Sequence, residues 1–481
     1  MKSIALLFLK SKDGLFLGAG LARPRLPYPL LHLGSYLKNK GVEVYLIDGQ
    51  VCDAKEELLK IIDKVDIIGF SVMTMQVKLA LELSDFIKKE YPDKKIIWGG
   101  IHPSLLPEQT IIDDSIDYVC QREGEECLYE ICNEYPLNTI KNLVYKEEGN
   151  IIVNEVRDFI DINKEDKPIW DMINLENYIK EHTSGPKKGR RSIDLAVGRG
   201  CCFNCSFCVN KVLGQKWRAL CAKEIINRIK FLKEKYNISH FTIGDDCFDV
   251  NIERVEEFCK YIIDEKIDMT WDTSIRAGNK WTDERMKLLY NSGCIGLSVG
   301  AESGSDRVLK EIYHKGITIK DILFIAKQCN KYNIQLGTTW ICGVPGESEE
   351  EIKQTTNLIK KVVEICPNCT ISGPQIFRPY PKCDLYFEAV KLGYKEPKSL
   401  REWIDKSNEQ FISEKELPWL KNPKKLKAME FYYINAFRYS TSWMHKILIN
   451  LSKFRINHNF YLFRFEIPIT KFYIKNVYKE R

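Results

Sequence analysis

Three cysteines have a spacing that can do chemistry. In the run GRGCCFNCSFCVNK, Cys201, Cys205 and Cys208 follow the pattern Cys-x-x-x-Cys-x-x-Cys. A loop wound this tightly brings three thiolates, and only three, to one metal cluster. One iron of a four-iron four-sulfur cluster then lacks a protein ligand and is open to a small molecule. Zinc is the competing occupant, but structural zinc closes its site with a second Cys-x-x-Cys arm, and none lies nearby. Cys202 falls off the spacing and reads as a bystander. Cys366 and Cys369 form an isolated Cys-x-x-Cys that reads as a pair of surface thiols.

The rest of the chain must position that loop. Its 481 residues, 44% hydrophobic and 29% charged, are globular material too long for one core, so two or three domains are expected. Seventeen cysteines, an odd number, follow an N-terminus (MKSIALLFLKSKDG) without an export signal. That favours reduced thiols and a cytoplasmic protein over a disulfide framework. The net charge of +6 is uneven: from Lys421 to Arg481 there are 13 Lys and Arg against 3 acids, a surplus of 10, so everything before Lys421 is net −4.

Residues 1–135 alternate short apolar runs with helical stretches, which predicts an α/β, doubly wound parallel sheet. Residues 136–190 read as a weakly structured connector. Alternation resumes over 191–400 in SIDLAV, HFTIGD, MTWDTSI, GLSVGAE, LGTTWICGVPGE and ISGPQIF. Six such strands predict a partial (β/α)6 barrel with ligands at the C-terminal strand ends. Residues 401–481 read as a short, basic, aromatic-rich helical region.

With Gly198, Gly200 and the aromatic Phe207, the cysteine loop resembles the signature loop of the radical S-adenosylmethionine superfamily. The resemblance implies that the methionyl amine and carboxylate of S-adenosylmethionine chelate the open iron. One electron then breaks a carbon–sulfur bond to give a 5′-deoxyadenosyl radical. It further implies that Phe207 lies beside this cofactor, that Asp245 and Asp246 receive the amine, and that Arg276 faces the carboxylate. Glu302 would take the ribose hydroxyls, and Ile341 and Gly343 would stack the adenine. Pro379-Tyr380-Pro381 is followed by Lys382 and Cys383 where a subset of the family has Gly-Thr, a departure near the substrate pocket.

The first domain resembles the cobalamin-binding domains of one branch of that superfamily, through Ser71-Val72-Met73 with Thr74 next to it, Gly99-Gly100, and Glu123-Gly124. The glycines would let the cofactor's nucleotide tail pass close to the backbone. The Asp-x-His-x-x-Gly element that supplies a histidine to cobalt is replaced by RPRLPY, which predicts cobalamin without a lower histidine ligand. His32 reads as a packed helix residue. Neither a Gly-x-Gly-x-x-Gly turn nor a Walker loop points to another nucleotide.

The combined resemblance implies methylation of an unactivated carbon on a small-molecule or lipid-like substrate, with a reducing donor such as flavodoxin or ferredoxin. A cobalamin-assisted cyclase or rearrangement enzyme and a sensor without turnover are the alternatives. No nucleic-acid motif accompanies the basic tail. Packing on the barrel with snorkelling cations is its default reading, and peripheral contact with an anionic membrane uses the same chemistry.

Overall fold

The computed structural model describes residues 1–10, 24–165, 168–183, 185–214, 216–404, 416–437 and 443–470. Strands β1 (Ile4–Phe8), β2 (Val44–Asp48), β3 (Ile67–Ser71), β4 (Lys95–Gly99) and β5 (Tyr118–Cys120) run parallel in the order β2-β1-β3-β4-β5. β1 and β3 are buried along nearly their whole length, because helices cover both faces of a parallel sheet. One of these, Val77–Glu90, turns Val77, Ala80, Leu81, Ser84 and Ile87 inward at helical spacing.

The sheet does not end at residue 135. β6 (Leu143–Glu147) and β7 (Asn150–Val153) form a hairpin that extends it with two antiparallel strands, inside the stretch expected to be a connector. Leu143, Val144 and Tyr145 are fully buried. Lys146 and Glu147 end the strand exposed, and the turn is Glu148-Gly149, where both residues adopt positive φ, as a tight hairpin requires.

β8 (Lys180–Glu181) pairs antiparallel with β9 (Arg191–Leu195), the first barrel strand. A short ribbon follows, β10 (Gly198–Arg199) against β11 (Arg218–Ala219). Then come β12 (His240–Ile243), β13 (Thr270–Ile275), β14 (Cys294–Glu302), β15 (Gln335–Cys342) and β16 (Thr370–Ile376). The six strands β9 and β12 to β16 are parallel neighbours in sequence order, as the strand pattern predicts.

Residues 397–404 return to the first domain. Leu400 and Trp403 join its core, Arg401 bridges Asp85 and Asp113 at 2.8 Å each, and Trp403 Nε1 donates to Gln109 Oε1 at 2.6 Å. The helix Pro423–Ala436 packs on β16, where Ile376 N donates to Glu430 Oε1 at 3.1 Å. The Cys366–Cys369 pair is not at the surface: Cys366 is buried in the barrel core and Cys369 half-buried, each pushed above the ordinary thiol range by burial. Among the described residues no helix is long and apolar enough to cross a membrane.

Candidate active site

Beyond β9 the chain passes through β10 and enters the cysteine loop at the C-terminal end of the barrel sheet. Gly200, at φ 77°, makes the turn into it. The loop is pinned at several points. Ser206 N donates to Tyr313 O at 3.0 Å, Leu385 N to Ser206 O at 3.2 Å, and Cys208 N to Cys205 O at 3.0 Å. Cys205 is buried, Cys201 and Cys208 are half-buried, and Cys202 is exposed.

Sequence reasoning did not single out Cys247, just beyond β12. Its buried thiol lies against Cys201, with Asp249 Oδ1 3.2 Å from its sulfur on the other side. Its hydrogen bond is the main reason the Cys201 thiol is pulled down to about 6 against the opposing effect of burial. The thiolate is the form that ligates iron. Among the described residues no three His, Cys, Asp or Glu side chains converge on a point that would hold a single ion. A four-iron cluster asks for something else, one thiolate on each of three irons. The donor set fits it.

The two aspartates assigned to the methionyl amine have separate roles. Asp245 is buried and accepts from Val197 N (2.8 Å) and Gly198 N (2.9 Å), with Arg254 at 3.8 Å. Its Oδ2 has no hydrogen-bond partner, and burial lifts the carboxyl to about 6. Asp245 therefore fastens the end of β9. Asp246 lines a cavity and bonds Gly200 N–H and the Asn210 side chain, on either side of the cysteine loop; burial raises it as well.

Arg276 reaches the cluster loop. Its Nη1 is 3.6 Å from Cys205 Sγ, and its guanidinium stacks 3.8 Å from the Phe203 ring centroid. Asp249, fully buried, holds Arg276 through its backbone N–H at 3.1 Å and Lys280 Nζ at 2.9 Å.

Glu302, at the end of β14, has φ 62°, a conformation that costs a non-glycine residue free energy. Lys315 Nζ, a residue the sequence did not flag, donates to Glu302 Oε1 at 3.0 Å and lies 5.7 Å from the Phe207 ring. Phe207 meets Tyr313 edge-on at 5.2 Å, and Tyr313 Oη donates to Ile341 O at 3.3 Å. Phe207, Glu302 and Ile341 thus meet around Lys315 and Tyr313. Gly343 has a different reason to be glycine than the one expected. At φ 73°, a Cβ would sit 2.5 Å from Leu426 Cδ2, and its carbonyl accepts from Trp419 Nε1 at 2.8 Å. The C-terminal region packs on it.

A cavity of about 350 Å³ opens between the two sheets. Ser71, Gly99, Gly100, Glu123 and Gly124 line it from the first domain, and Gly198, Arg199, Gly200, Gly244 and Asp246 from the barrel. Seven of the lining residues are glycine, so backbone can lie flat against a large ring system. Gly100 is fixed by φ 93° and by Val72 N, 2.7 Å from where a Cβ would be. Met73 and Thr74 do not line the cavity. The turn Thr74–Gln76 carries them off, with Met73 N donating to Gln76 Oε1 and Thr74 Oγ1 paired with His102 Nδ1 at 3.2 Å. His32 does line it, contrary to the sequence reading. Its Nδ1 lies 3.2 Å from Arg199 Nη2.

Glu123 is tied up by the barrel ribbon. It accepts from Arg199 Nη1 (3.1 Å) and from Arg218 Nη2 (2.9 Å) and Nη1 (3.0 Å), while Glu125 takes Arg199 Nη1 at 2.7 Å. Arg199 stands two residues before Cys201, so this ion cluster joins the first domain to the cluster loop. No local pattern marks either arginine; their carboxylate partners are more than seventy residues away in the chain.

Comparison with known proteins fits this geometry. Residues 195–359 match the Radical SAM superfamily and residues 24–131 the B12 binding domain, together more than half of the chain. An uncharacterised methyltransferase of Pyrococcus horikoshii is 28% identical over 374 residues, covering 76% of this chain and 78% of the relative. An anaerobic magnesium-protoporphyrin IX monomethyl ester cyclase of Rubrivivax gelatinosus is 23% identical over 387 residues, covering 77% and 67%. The structure of OxsB, a cobalamin-dependent S-adenosylmethionine radical enzyme, with aqua-cobalamin bound shares the fold at TM-score 0.61 and 22% identity. The match takes in 84% of this chain and 56% of that one.

Proposed function

We propose that this chain, which belongs to the radical SAM superfamily and carries a B12-binding domain ahead of its barrel, is a C-methyltransferase acting on an unactivated carbon of a small molecule. The observation that carries this reading is the shared cavity. Residues of the cobalamin-type domain and residues flanking Cys201 line the same space, so a methyl donor and a radical source would face one substrate. When bound, the cluster and S-adenosylmethionine supply a 5′-deoxyadenosyl radical, and cobalamin supplies the methyl group.

The chain's own residues have these parts. Cys201, Cys205 and Cys208 hold the cluster. Asp246 accepts the methionyl ammonium, since a carboxylate in a partly dry site is the strongest acceptor at hand. Arg276 and Asp249 orient the loop side of that site. Glu302, braced by Lys315, meets the ribose diol, and Phe207 and Ile341 wall the nucleoside. Ser71, Gly99, Gly100 and Gly124 seat the corrin and its tail. His32 Nδ1 is engaged at 3.2 Å by Arg199 Nη2, and the Asp-x-His-x-x-Gly element is replaced by RPRLPY, which together support cobalamin without a lower histidine ligand. The electron comes from a flavodoxin- or ferredoxin-type protein.

The test is anaerobic turnover of the reconstituted protein with reductant and S-adenosylmethionine. Methyl transfer yields both 5′-deoxyadenosine and S-adenosylhomocysteine. Deoxyadenosine without S-adenosylhomocysteine would move the assignment to the cyclase reading, which the Rubrivivax gelatinosus relative favours. Binding of S-adenosylmethionine without its cleavage would leave only a sensor.

A further inference from the structure

The last described stretch of the chain uses a buried ion pair to hold an exposed loop. Arg455, on the helix Trp443–Asn457, and Glu466 have side chains only 4% and 5% exposed. Arg455 Nε donates to Glu466 Oε1 at 2.7 Å, and Tyr432 Oη donates to Glu466 Oε2 at 3.2 Å. Arg455 Nη2 donates to Glu466 Oε1 as well and to the backbone carbonyl of Phe463, and Nη1 donates to the carbonyls of Phe460 and Leu462. Burying such a pair costs free energy that only good geometry recovers. What the geometry fixes here is a knuckle whose apolar side chains face solvent. Phe463 is 79% exposed, and Leu462 and Phe465 61% each. Ile447 and Phe454, two turns apart on the adjoining helix, are exposed as well.

The surrounding charge selects the partner. Glu430 and Glu466 are the only acids from residue 421 to 470. Both are buried, Glu430 on Ile376 N and Glu466 on Arg455. Lys421, Lys424, Lys446 and Lys453 are exposed. The outer face of the described residues in this stretch therefore displays aromatic and aliphatic side chains among cations, with no acid. Clustered exposed apolar side chains mark an interaction site. Aromatics that enter the headgroup region beside Lys and Arg are the chemistry of an anionic lipid surface.

We propose that this knuckle docks the protein on an anionic bilayer, with Leu462, Phe463 and Phe465 inserted and Lys446 and Lys453 on the headgroups. The inference does not depend on the reaction catalysed. The full chain is floated with phosphatidylcholine vesicles and with vesicles that also contain phosphatidylglycerol, at low and high salt. Binding is expected only to the phosphatidylglycerol vesicles and weakens as salt rises. The triple variant Leu462→Ser, Phe463→Ser, Phe465→Ser is expected to bind at least about tenfold more weakly. Its circular dichroism and cobalamin affinity should be unchanged, because these side chains are exposed. Absence of wild-type flotation, equal flotation of the triple variant, or salt-independent binding to phosphatidylcholine alone would each overturn the proposal. So would a concentration-dependent dimer in sedimentation velocity that the triple variant abolishes, which would assign the surface to a second copy of the chain.

Discussion

At the scale of single residues, the site depends on a few side chains that can be removed one at a time. Cys205→Ala is expected to lower iron content and reduce 5′-deoxyadenosine formation by at least about a thousandfold, with cobalamin binding retained. Iron analysis and a cobalamin titration on the same preparation check both halves, and loss of both cofactors together would contradict the separate roles argued for the two domains. His102 gives a pH prediction. Burial alone lowers it from 6.5 to about 3, with Nε2 unpartnered and its ring edge-on to Trp403 at 5.3 Å. The unfolded chain takes up a proton that the folded one refuses, so stability is present above the ordinary histidine value and is lost as pH falls from 6.5 towards 3. Between pH 7 and pH 5 the loss is about 2 kcal/mol. Denaturant midpoints should show it in the wild type and not in His102→Asn.

At the scale of elements, two contacts hold the parts in register. The β10–β11 ribbon is clamped by Glu123 and Glu125 through Arg199 and Arg218. Arg199→Ala leaves Glu125 buried without its cation and should cost about 2 kcal/mol. Because the clamp adjoins the cavity, cobalamin affinity should fall with it. Unchanged unfolding and unchanged affinity would show that the clamp holds nothing. The second contact is Gly343 against Leu426. Gly343→Ala sets a Cβ at positive φ against Leu426 and should cost about 2 kcal/mol. Amide exchange over residues 423–436 should speed up, and Leu426→Ala in the same chain should restore part of the loss, a coupling that a double-mutant cycle reads directly.

At the scale of the whole molecule, the shared cavity makes the domains one thermodynamic unit when it is filled. Cobalamin at about 100 times its Kd should stabilise the folded state by about 2.7 kcal/mol. Residues 397–404, which follow the barrel, pack into the first domain, and Tyr28 Oη donates to Asp194 O across the junction at 2.7 Å. The whole unfolding transition should therefore move upward together in a calorimetric scan. A first-domain transition that moves alone would mean that the cavity belongs to that domain.

The sequence alone determined what is local or periodic. Cys201, Cys205 and Cys208 lie within eight residues, so their spacing is itself the geometry. The barrel strands announce themselves because apolar runs between amphipathic helices have few other ways to pack. The hairpin of β6 and β7 was hidden, since four- and five-residue strands flanked by charge carry too little pattern. Only the tertiary structure decided the rest. It separated Asp245 from Asp246, because neighbouring residues past a strand end turn to different surroundings. It carried Met73 and Thr74 out of the cavity and brought His32 in. It supplied Lys315 beside Glu302 and Cys247 beside Cys201, which barrel loops bring together, and the clamp of Arg199 and Arg218, whose acidic partners are distant in the chain and meet them only when both sheets close on one space.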